Sequence, residues 1–323
     1  MLLNLSLSRC GLSSAMVRGA TETQKTCKID FKMRYEQISG NGVALVTPFN
    51  EDLSIDFDSL SRIVNHVITA GADFLVVLGT TGETALLTLK ERLAVIAFVK
   101  EVAANRVPIV LGYGGISTAE LIEGFENYDY NGIDALLTVT PYYVKPTQKG
   151  LYEHYTALAA AAPRPIILYN VPGRTGINME PATTLSLAKN PNIIGIKEAS
   201  GKLFQIEEVI YRRPAGFKLY SGDDALTFHL VNAGADGVIS VMANALPKEV
   251  CCIADTKVID IDEAKDTHLK LKLLTKAVFA DGNPCGIKYL LSKMGLCKNI
   301  LRLPLVPVSE EVAQTIDAEY ATL

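Results

Sequence analysis

Lys197, at the end of a short apolar run, is the residue in this sequence with the clearest potential for covalent chemistry. Residues 193–196, which precede it, are three isoleucines and a glycine. This run is too short for a helix and rich in β-branched side chains, as buried strands are. A lysine in apolar surroundings loses hydration, which favours its neutral amine, and a neutral amine can attack a carbonyl carbon to form a Schiff base. The alternative is a structural lysine whose charged end extends to solvent.

Other apolar runs are followed by side chains that would complete a Schiff-base site. Such a reaction needs a proton relay and an anchor for a carboxylate. Tyr169 can pass a proton to and from the carbinolamine and the enamine. Thr80 and Thr81, with nearby backbone N–H groups, can hold a carboxylate, and Arg174 offers a bidentate fork for a second one. Each residue also has a structural explanation. The two threonines could belong to a tight turn, and Arg174 could be a surface arginine. Tyr169 and Tyr143 could be packing aromatic rings.

Eight apolar runs must position these residues, and each is followed by a polar or glycine-rich turn and then a helical pattern. The runs are residues 43–46, 74–78, 107–111, 135–139, 166–168, 193–196, 217–220 and 237–241. Eight strand–helix units over about 210 residues are the number found in a (β/α)8 or TIM barrel, whose active site lies at the C-terminal ends of the strands. The sequence therefore predicts an α/β fold of this type, with the candidate residues around one pocket.

The pattern divides the chain into three parts. Residues 39–260 are predicted to form the barrel. Residues 261–323 show helical patterns alone, over 263–279, 284–295 and 310–321, and are predicted to form a C-terminal helical extension. Residues 1–38 are expected to be a leader, disordered or non-native, and their serine-rich, acid-poor start weakly resembles an organellar transit peptide.

The composition excludes several classes of function. The chain has 323 residues and a net charge of −4, without blocks of like charge, which argues against nucleic acid as a partner. No apolar stretch reaches membrane-spanning length. Six cysteines without a CxxC pair and four histidines without a ligand pattern predict neither a metal site nor a disulfide framework. We therefore expect a cytoplasmic protein that needs no cofactor.

Four motifs together resemble the dihydrodipicolinate synthase family, within the pyruvate-dependent lyases and aldolases. The motifs are Gly79-Thr80-Thr81-Gly82-Glu83, Thr140-Pro141-Tyr142-Tyr143, Tyr169-Asn170-Val171-Pro172-Gly173-Arg174-Thr175-Gly176 and Gly195-Ile196-Lys197-Glu198-Ala199. The resemblance extends from about residue 40 to the C-terminus. It implies condensation of pyruvate with L-aspartate 4-semialdehyde to 4-hydroxy-tetrahydrodipicolinate, in the diaminopimelate route to lysine.

The resemblance also implies roles for individual residues. Lys197 would form the Schiff base with pyruvate. Thr80, Tyr143 and Tyr169 would form the proton relay, with Tyr143 reaching in from a neighbouring subunit. The family is commonly a homotetramer, a dimer of tight dimers.

The remaining roles concern substrate binding. Thr81 and the backbone of Ile239 would contact the pyruvate moiety. Arg174 would bind the carboxylate of L-aspartate 4-semialdehyde, and Gly222 would lie near the pocket.

Members of the family often carry a lysine feedback site, which this sequence matches in part. Glu120 and Tyr142 fit the pattern. Leu89, Arg92 and Ile116 stand where feedback-sensitive members usually place polar or imidazole-type groups. Because isoleucine cannot form a hydrogen bond to an amino acid, we predict weak or absent inhibition by lysine. The same departure argues against a plant plastid enzyme, so we discount the transit-like leader.

The residues leave one alternative open and disfavour two others, because no member of the candidate set is replaced and the four histidines are scattered. Another pyruvate-dependent aldolase, such as N-acetylneuraminate lyase or a 2-keto-3-deoxy sugar acid aldolase, would share Lys197 and Tyr169. The second threonine, Thr81, and the carboxylate fork of Arg174 favour the synthase. A non-catalytic barrel would predict a broken set of site residues, and a metal-dependent aldolase would need clustered histidine and acidic ligands.

Overall fold

The strands close into one parallel barrel whose spatial order follows the chain order. The computed structural model describes residues 37–255 and 260–323. The strands are β1 (Gly40–Ala44), β2 (Phe74–Val77), β3 (Ile109–Gly112), β4 (Ala135–Val139), β5 (Ile166–Asn170), β6 (Ile193–Glu198), β7 (Lys218–Ser221) and β8 (Gly237–Ser240). The predicted (β/α)8 barrel is confirmed.

Helices follow the strands and surround the barrel. In chain order they are α1 (Phe57–Thr69), α2 (Leu89–Ala103), α3 (Thr118–Gly124), α4 (Gln148–Ala161), α5 (Pro172–Thr175), α6 (Pro181–Leu187), α7 (Leu203–Arg212), α8 (Thr227–Asn232) and α9 (Pro247–Ala254). Helix α2 begins with a capping box, in which Thr88 and Glu91 satisfy each other's backbone N–H groups. No helix in the described ranges is long and apolar enough to cross a membrane.

Two apolar clusters hold the barrel together. Side chains alternate along each strand, so one set points inward and the other packs against the helices. The inner cluster includes Phe74, Val110 and Ile167, and Phe74 meets the ring of Tyr220 edge to face at 5.7 Å. Ile38, at the end of the predicted leader, is fully buried in this cluster, and its carbonyl accepts a hydrogen bond from the Tyr220 hydroxyl.

The rest of the predicted leader, residues 1–36, lies outside the described residues, as do residues 256–259 near the predicted end of the barrel domain. The division of the chain at residues 38 and 260 therefore stays a prediction.

Three helices follow the barrel: α10 (Ile261–Phe279), α11 (Cys285–Lys293) and α12 (Glu310–Tyr320). Their number agrees with the predicted helical patterns. Helix α10 begins two residues earlier than predicted because the Asp260 carboxylate caps it, accepting hydrogen bonds from the N–H groups of Asp262 and Glu263. Leu274 and Ile287 contribute to the same apolar cluster as the outer faces of the strands.

A buried ion pair joins the helical extension to the barrel. The Lys288 ammonium, on α11, contacts the Glu83 carboxylate in the loop after β2, and both side chains are fully buried. Lys288 also donates to the carbonyl of Ile300 at 2.9 Å and lies 4.1 Å from the ring centroid of Phe49. The second Glu83 oxygen accepts from the backbone N–H of Arg302 at 3.2 Å. Burial lowers the pKa of Lys288, which Glu83 opposes.

We predict that Lys288→Met strongly destabilises the protein, because it leaves the Glu83 carboxylate buried without its cation. Removing one partner of a buried ion pair costs about 3–5 kcal/mol. Urea unfolding measures this loss.

The double variant Glu83→Gln/Lys288→Met removes both charges and should recover much of the lost stability. Lys298→Met breaks an exposed ion pair with Glu51 and serves as the control, with nearly unchanged stability. A Lys288→Met protein as stable as this control would contradict the prediction.

Candidate active site

A cavity of about 400 Å³ opens at the C-terminal ends of the strands. Five of the eight predicted site residues line it: Thr80, Thr81, Tyr169, Arg174 and Lys197. The structure therefore brings together most of the residues that the motifs indicated.

Lys197 lies within β6 with its side chain 6% exposed. Its Nζ atom is 4.5 Å from the centroid of the Tyr169 ring. Within residues 37–255 and 260–323, no carboxylate forms a salt bridge with this amine. The cavity is lined on this side by apolar groups such as Ala44 and Val76. The amine is thus held over an aromatic face without a permanent anionic partner.

A register shift between β5 and β6 places Lys197 beside Tyr169. Ile166 pairs with Ile193, but Ile167 pairs with Gly195, so one residue of β6 is left over. Beyond this irregularity Tyr169 pairs with Lys197. Without it, Tyr169 would pair with Ile196, and Lys197 would lie opposite the next residue of β5. The extra residue therefore brings both functional side chains to the interior face.

Gly195 makes this shift compatible with the next strand. A Cβ atom at this position would lie 2.6 Å from the backbone oxygen of Lys218 on β7. That distance is far below van der Waals contact, so glycine is required for the close approach of the two strands.

The two threonines lie in a short 3-10 turn, Thr80–Gly82, directly after β2. Thr80 is exposed at the cavity wall, whereas Thr81 is buried. The Thr81 hydroxyl accepts a hydrogen bond from the Asn283 amide at 2.9 Å. Glu83 follows in a left-handed conformation, with φ 52°, and its ion pair with Lys288 fixes the turn. The turn can present hydroxyl groups to a bound carboxylate.

Arg174 lies in α5, on the loop that follows β5. One guanidinium nitrogen donates to the backbone carbonyl of Asn283 at 3.2 Å. The side chain is otherwise exposed at the cavity mouth. Because a guanidinium carries five N–H donors, it retains donors for a substrate carboxylate.

Gly222 and Ile239 do not line the cavity, but they lie close to it. A Cβ atom at Gly222 would be 3.1 Å from Cε of Lys197, so Gly222 lies against the stem of the lysine. The Ile239 side chain is buried in the inner barrel cluster. Substrate contacts of these two residues stay predictions.

Tyr143 is not brought into the cavity by its own chain. Its side chain is 86% exposed, and its backbone has a left-handed conformation with φ 66°. The preceding residue, Tyr142, lines the cavity instead. The predicted relay role of Tyr143 therefore needs a second chain.

Motif reasoning missed Asn283, which links the helical extension to two site residues, Thr81 and Arg174. Its amide oxygen is buried without a hydrogen-bond partner among the described residues. Lys288 was also missed. The available signal was its place in an apolar helical stretch, with Ile287 before it and Leu290 and Leu291 after it.

A second crevice, of about 310 Å³, adjoins the cavity. Four of the residues tied to lysine feedback line it: Leu89, Arg92, Ile116 and Glu120. Arg92 lines both spaces. Among the described residues, no group of three or more histidine, cysteine, aspartate or glutamate side chains is arranged to hold a metal ion.

Known proteins resemble this chain in both sequence and structure. The profile of the Dihydrodipicolinate synthetase family matches residues 37–322. A curated relative from Parabacteroides distasonis, named 4-hydroxy-tetrahydrodipicolinate synthase, is 47% identical over 272 residues, which cover 84% of this chain and 92% of the relative.

Two solved structures have the same fold. The chloride-inhibited dihydrodipicolinate synthase from Acinetobacter baumannii, complexed with pyruvate, has 41% identity and a TM-score of 0.85, covering 88% of this chain and 98% of that one. The enzyme from Cyanidioschyzon merolae with lysine bound has 37% identity and a TM-score of 0.82, covering 87% and 97%. The four motifs, the barrel and these similarities agree, and the chain belongs to the dihydrodipicolinate synthetase family.

Proposed function

We propose that Lys197 is the Schiff-base lysine through which this chain acts. The chain is a lyase with the activity for which its curated relatives are named, that of a 4-hydroxy-tetrahydrodipicolinate synthase. It condenses pyruvate with L-aspartate 4-semialdehyde to 4-hydroxy-tetrahydrodipicolinate in lysine biosynthesis. The position of Lys197 carries the proposal: a buried amine over the Tyr169 ring, in a cavity at the strand ends. The alternative activity, that of a sugar-acid aldolase, is not supported by these relatives.

The nitrogen of Lys197 attacks the keto carbon of pyruvate and forms a carbinolamine. Loss of water then gives the imine, and loss of a methyl proton gives the enamine. Tyr169 and Thr80 pass these protons, since both line the cavity in which Lys197 lies. The enamine carbon attacks the aldehyde of the second substrate. The amino group of that substrate then attacks the imine carbon, which closes the ring and displaces the Lys197 amine.

Two anchors would hold the substrate carboxylates. Thr81, in its buried turn, would bind the pyruvate carboxylate together with backbone groups, and the backbone of Ile239 would contact the same moiety. Arg174 would bind the carboxylate of L-aspartate 4-semialdehyde from the cavity mouth. Gly222 would keep the space beside the Lys197 stem clear.

Borohydride trapping tests the central assignment. Incubation with pyruvate followed by borohydride should leave a reduced pyruvyl adduct on Lys197, located by peptide mass, and no adduct should form without pyruvate. Lys197→Met should abolish both the adduct and activity. An adduct on another residue, or none in the folded protein, would refute the assignment.

We also propose a homotetramer, a dimer of tight dimers, in which Tyr143 completes the relay of a neighbouring subunit. Tyr143 is 86% exposed on a left-handed backbone, between the exposed side chains of Tyr142 and Val144. Adjoining exposed apolar side chains mark an interaction surface, which supports this proposal.

Mixing two inactive variants tests the shared site. Tyr143→Phe and Lys197→Ala each lower activity on their own. When subunits exchange, some sites combine the lysine of one chain with the tyrosine of the other, and activity should rise well above that of either variant. Mixtures that stay as inactive as their components, although exchange is verified by mass, would contradict a shared site.

We place the chain in the cytoplasm. Four described cysteines, Cys251, Cys252, Cys285 and Cys297, are free thiols, as is usual in a reducing compartment.

Weak or absent inhibition by lysine is the outcome we expect from the second crevice. Ile116 and Leu89 line this crevice, and neither side chain can form a hydrogen bond to an amino acid. Steady-state assays with added lysine check this directly, with Glu120→Ala as a control that should change nothing. Clear inhibition at sub-millimolar lysine would contradict the prediction.

A further inference from the structure

A second set of polar residues lies directly behind the reactive pair. Glu198 follows Lys197 on β6, and Asn170 follows Tyr169 on β5. Because side chains alternate along a strand, these two point away from the cavity, and they pair with each other across the strands. The mechanism above uses neither of them, yet both are fully buried.

The Glu198 carboxylate accepts hydrogen bonds from several donors. The Asn170 amide nitrogen lies 3.1 Å from each carboxylate oxygen. The backbone N–H of Ser200 donates at 2.8 Å, and the Gln205 amide donates at 3.2 Å. Burial raises the pKa of Glu198, whereas these hydrogen bonds lower it. A carboxylate in this position is an acceptor surrounded by donors.

The same set of residues extends to the loop of Arg174. After α5 the chain returns through residues 176–179, where the N–H of Met179 donates to the Asn170 amide oxygen at 2.9 Å. The Asn178 amide donates to Gln205 at 2.8 Å, and its oxygen accepts from Asn170 at 3.1 Å. The return of the arginine loop is thus bound to Asn170 on β5 and to Gln205 on α7, the two residues that also donate to Glu198 on β6.

We propose that Glu198 is a positioning residue, whose hydrogen bonds to Asn170 and Gln205 fix Lys197, Tyr169 and the Arg174 loop relative to one another. The inference rests on the proposed function, since it concerns the geometry of the same reaction. Glu198 touches no reacting atom, and it acts through the two strands that carry the reactive pair.

Glu198→Gln tests this role with minimal change in volume. A glutamine must turn its NH2 group toward donors, so at least one hydrogen bond is lost and the two strands loosen. Small displacements of reacting groups can reduce rates about a hundredfold. We expect the rate of the borohydride-trappable adduct on Lys197, measured with pyruvate alone, to fall about ten- to a hundredfold.

A double variant that exchanges the donor at Asn170 with the acceptor at Glu198 tests whether their hydrogen bond itself supports the trapping rate. In Asn170→Asp/Glu198→Gln, the new amide can donate to the new carboxylate, and that carboxylate still accepts from the N–H of Met179. Because an aspartate at position 170 no longer donates to the Asn178 oxygen, the double variant should recover part of the trapping rate. Asp134→Asn is the matched control: Asp134 is a buried acid near the opposite end of the barrel, and its carboxylate accepts from the Ile109 N–H at 2.8 Å. The control should lower Tm without changing the trapping rate.

Asn178→Ala tests the link between the Arg174 loop and the residues that hold Glu198. This test remains possible even if Glu198→Gln fails to fold. Because Asn178 binds both Gln205 and Asn170, its loss should raise KM for L-aspartate 4-semialdehyde severalfold and lower the trapping rate with pyruvate less than Glu198→Gln does.

The outcomes separate the two proposals. An unaltered protein without an adduct on Lys197 would overturn the proposed function and this inference with it. A normal adduct in the unaltered protein, with Glu198→Gln lowering Tm but not the trapping rate, would overturn the positioning role alone. An unchanged KM in Asn178→Ala would overturn the link to Arg174.

Discussion

The site depends on the register between two neighbouring strands. A lysine and a tyrosine can share one proton relay only if both side chains point into the barrel at the same level. The single extra residue before Gly195 achieves this, because it moves every later residue of β6 to the opposite face. The same shift turns Glu198 outward, where Asn170 meets it. One local irregularity therefore sets both the reactive interior pair and its polar support.

Much of the barrel could be predicted from the sequence, because each strand is a short apolar run between turn residues and the count of units was distinctive. The candidate lysine could also be identified from the sequence, since it ends such a run. The barrel geometry then predicted correctly that Thr80, Tyr169 and Arg174 meet Lys197 around one cavity. In each case a local pattern, together with one topological rule, was sufficient.

Other features could not be predicted because they depend on contacts between distant parts of the chain. Nothing near Asn283 indicates that its amide reaches Thr81, or that its carbonyl receives Arg174. The register shift could not be predicted either, since the apolar run of β6 is compatible with both registers. Tyr143 is a different case: its motif was recognisable, but its side chain is exposed and does not line the cavity of its own chain.

The buried pair of Glu83 and Lys288 also bears on the order of events during synthesis. The turn that carries Thr80 and Thr81 leaves the ribosome early, whereas its anchor at Arg302 is 219 residues further along the chain. At a translation rate of about 5–20 residues per second, roughly 10 to 40 s separate the two. During that interval the Glu83 carboxylate lacks both the Lys288 ammonium and the Arg302 N–H. The turn that carries Thr80 and Thr81 therefore gains these two contacts only after the helical extension has been synthesised.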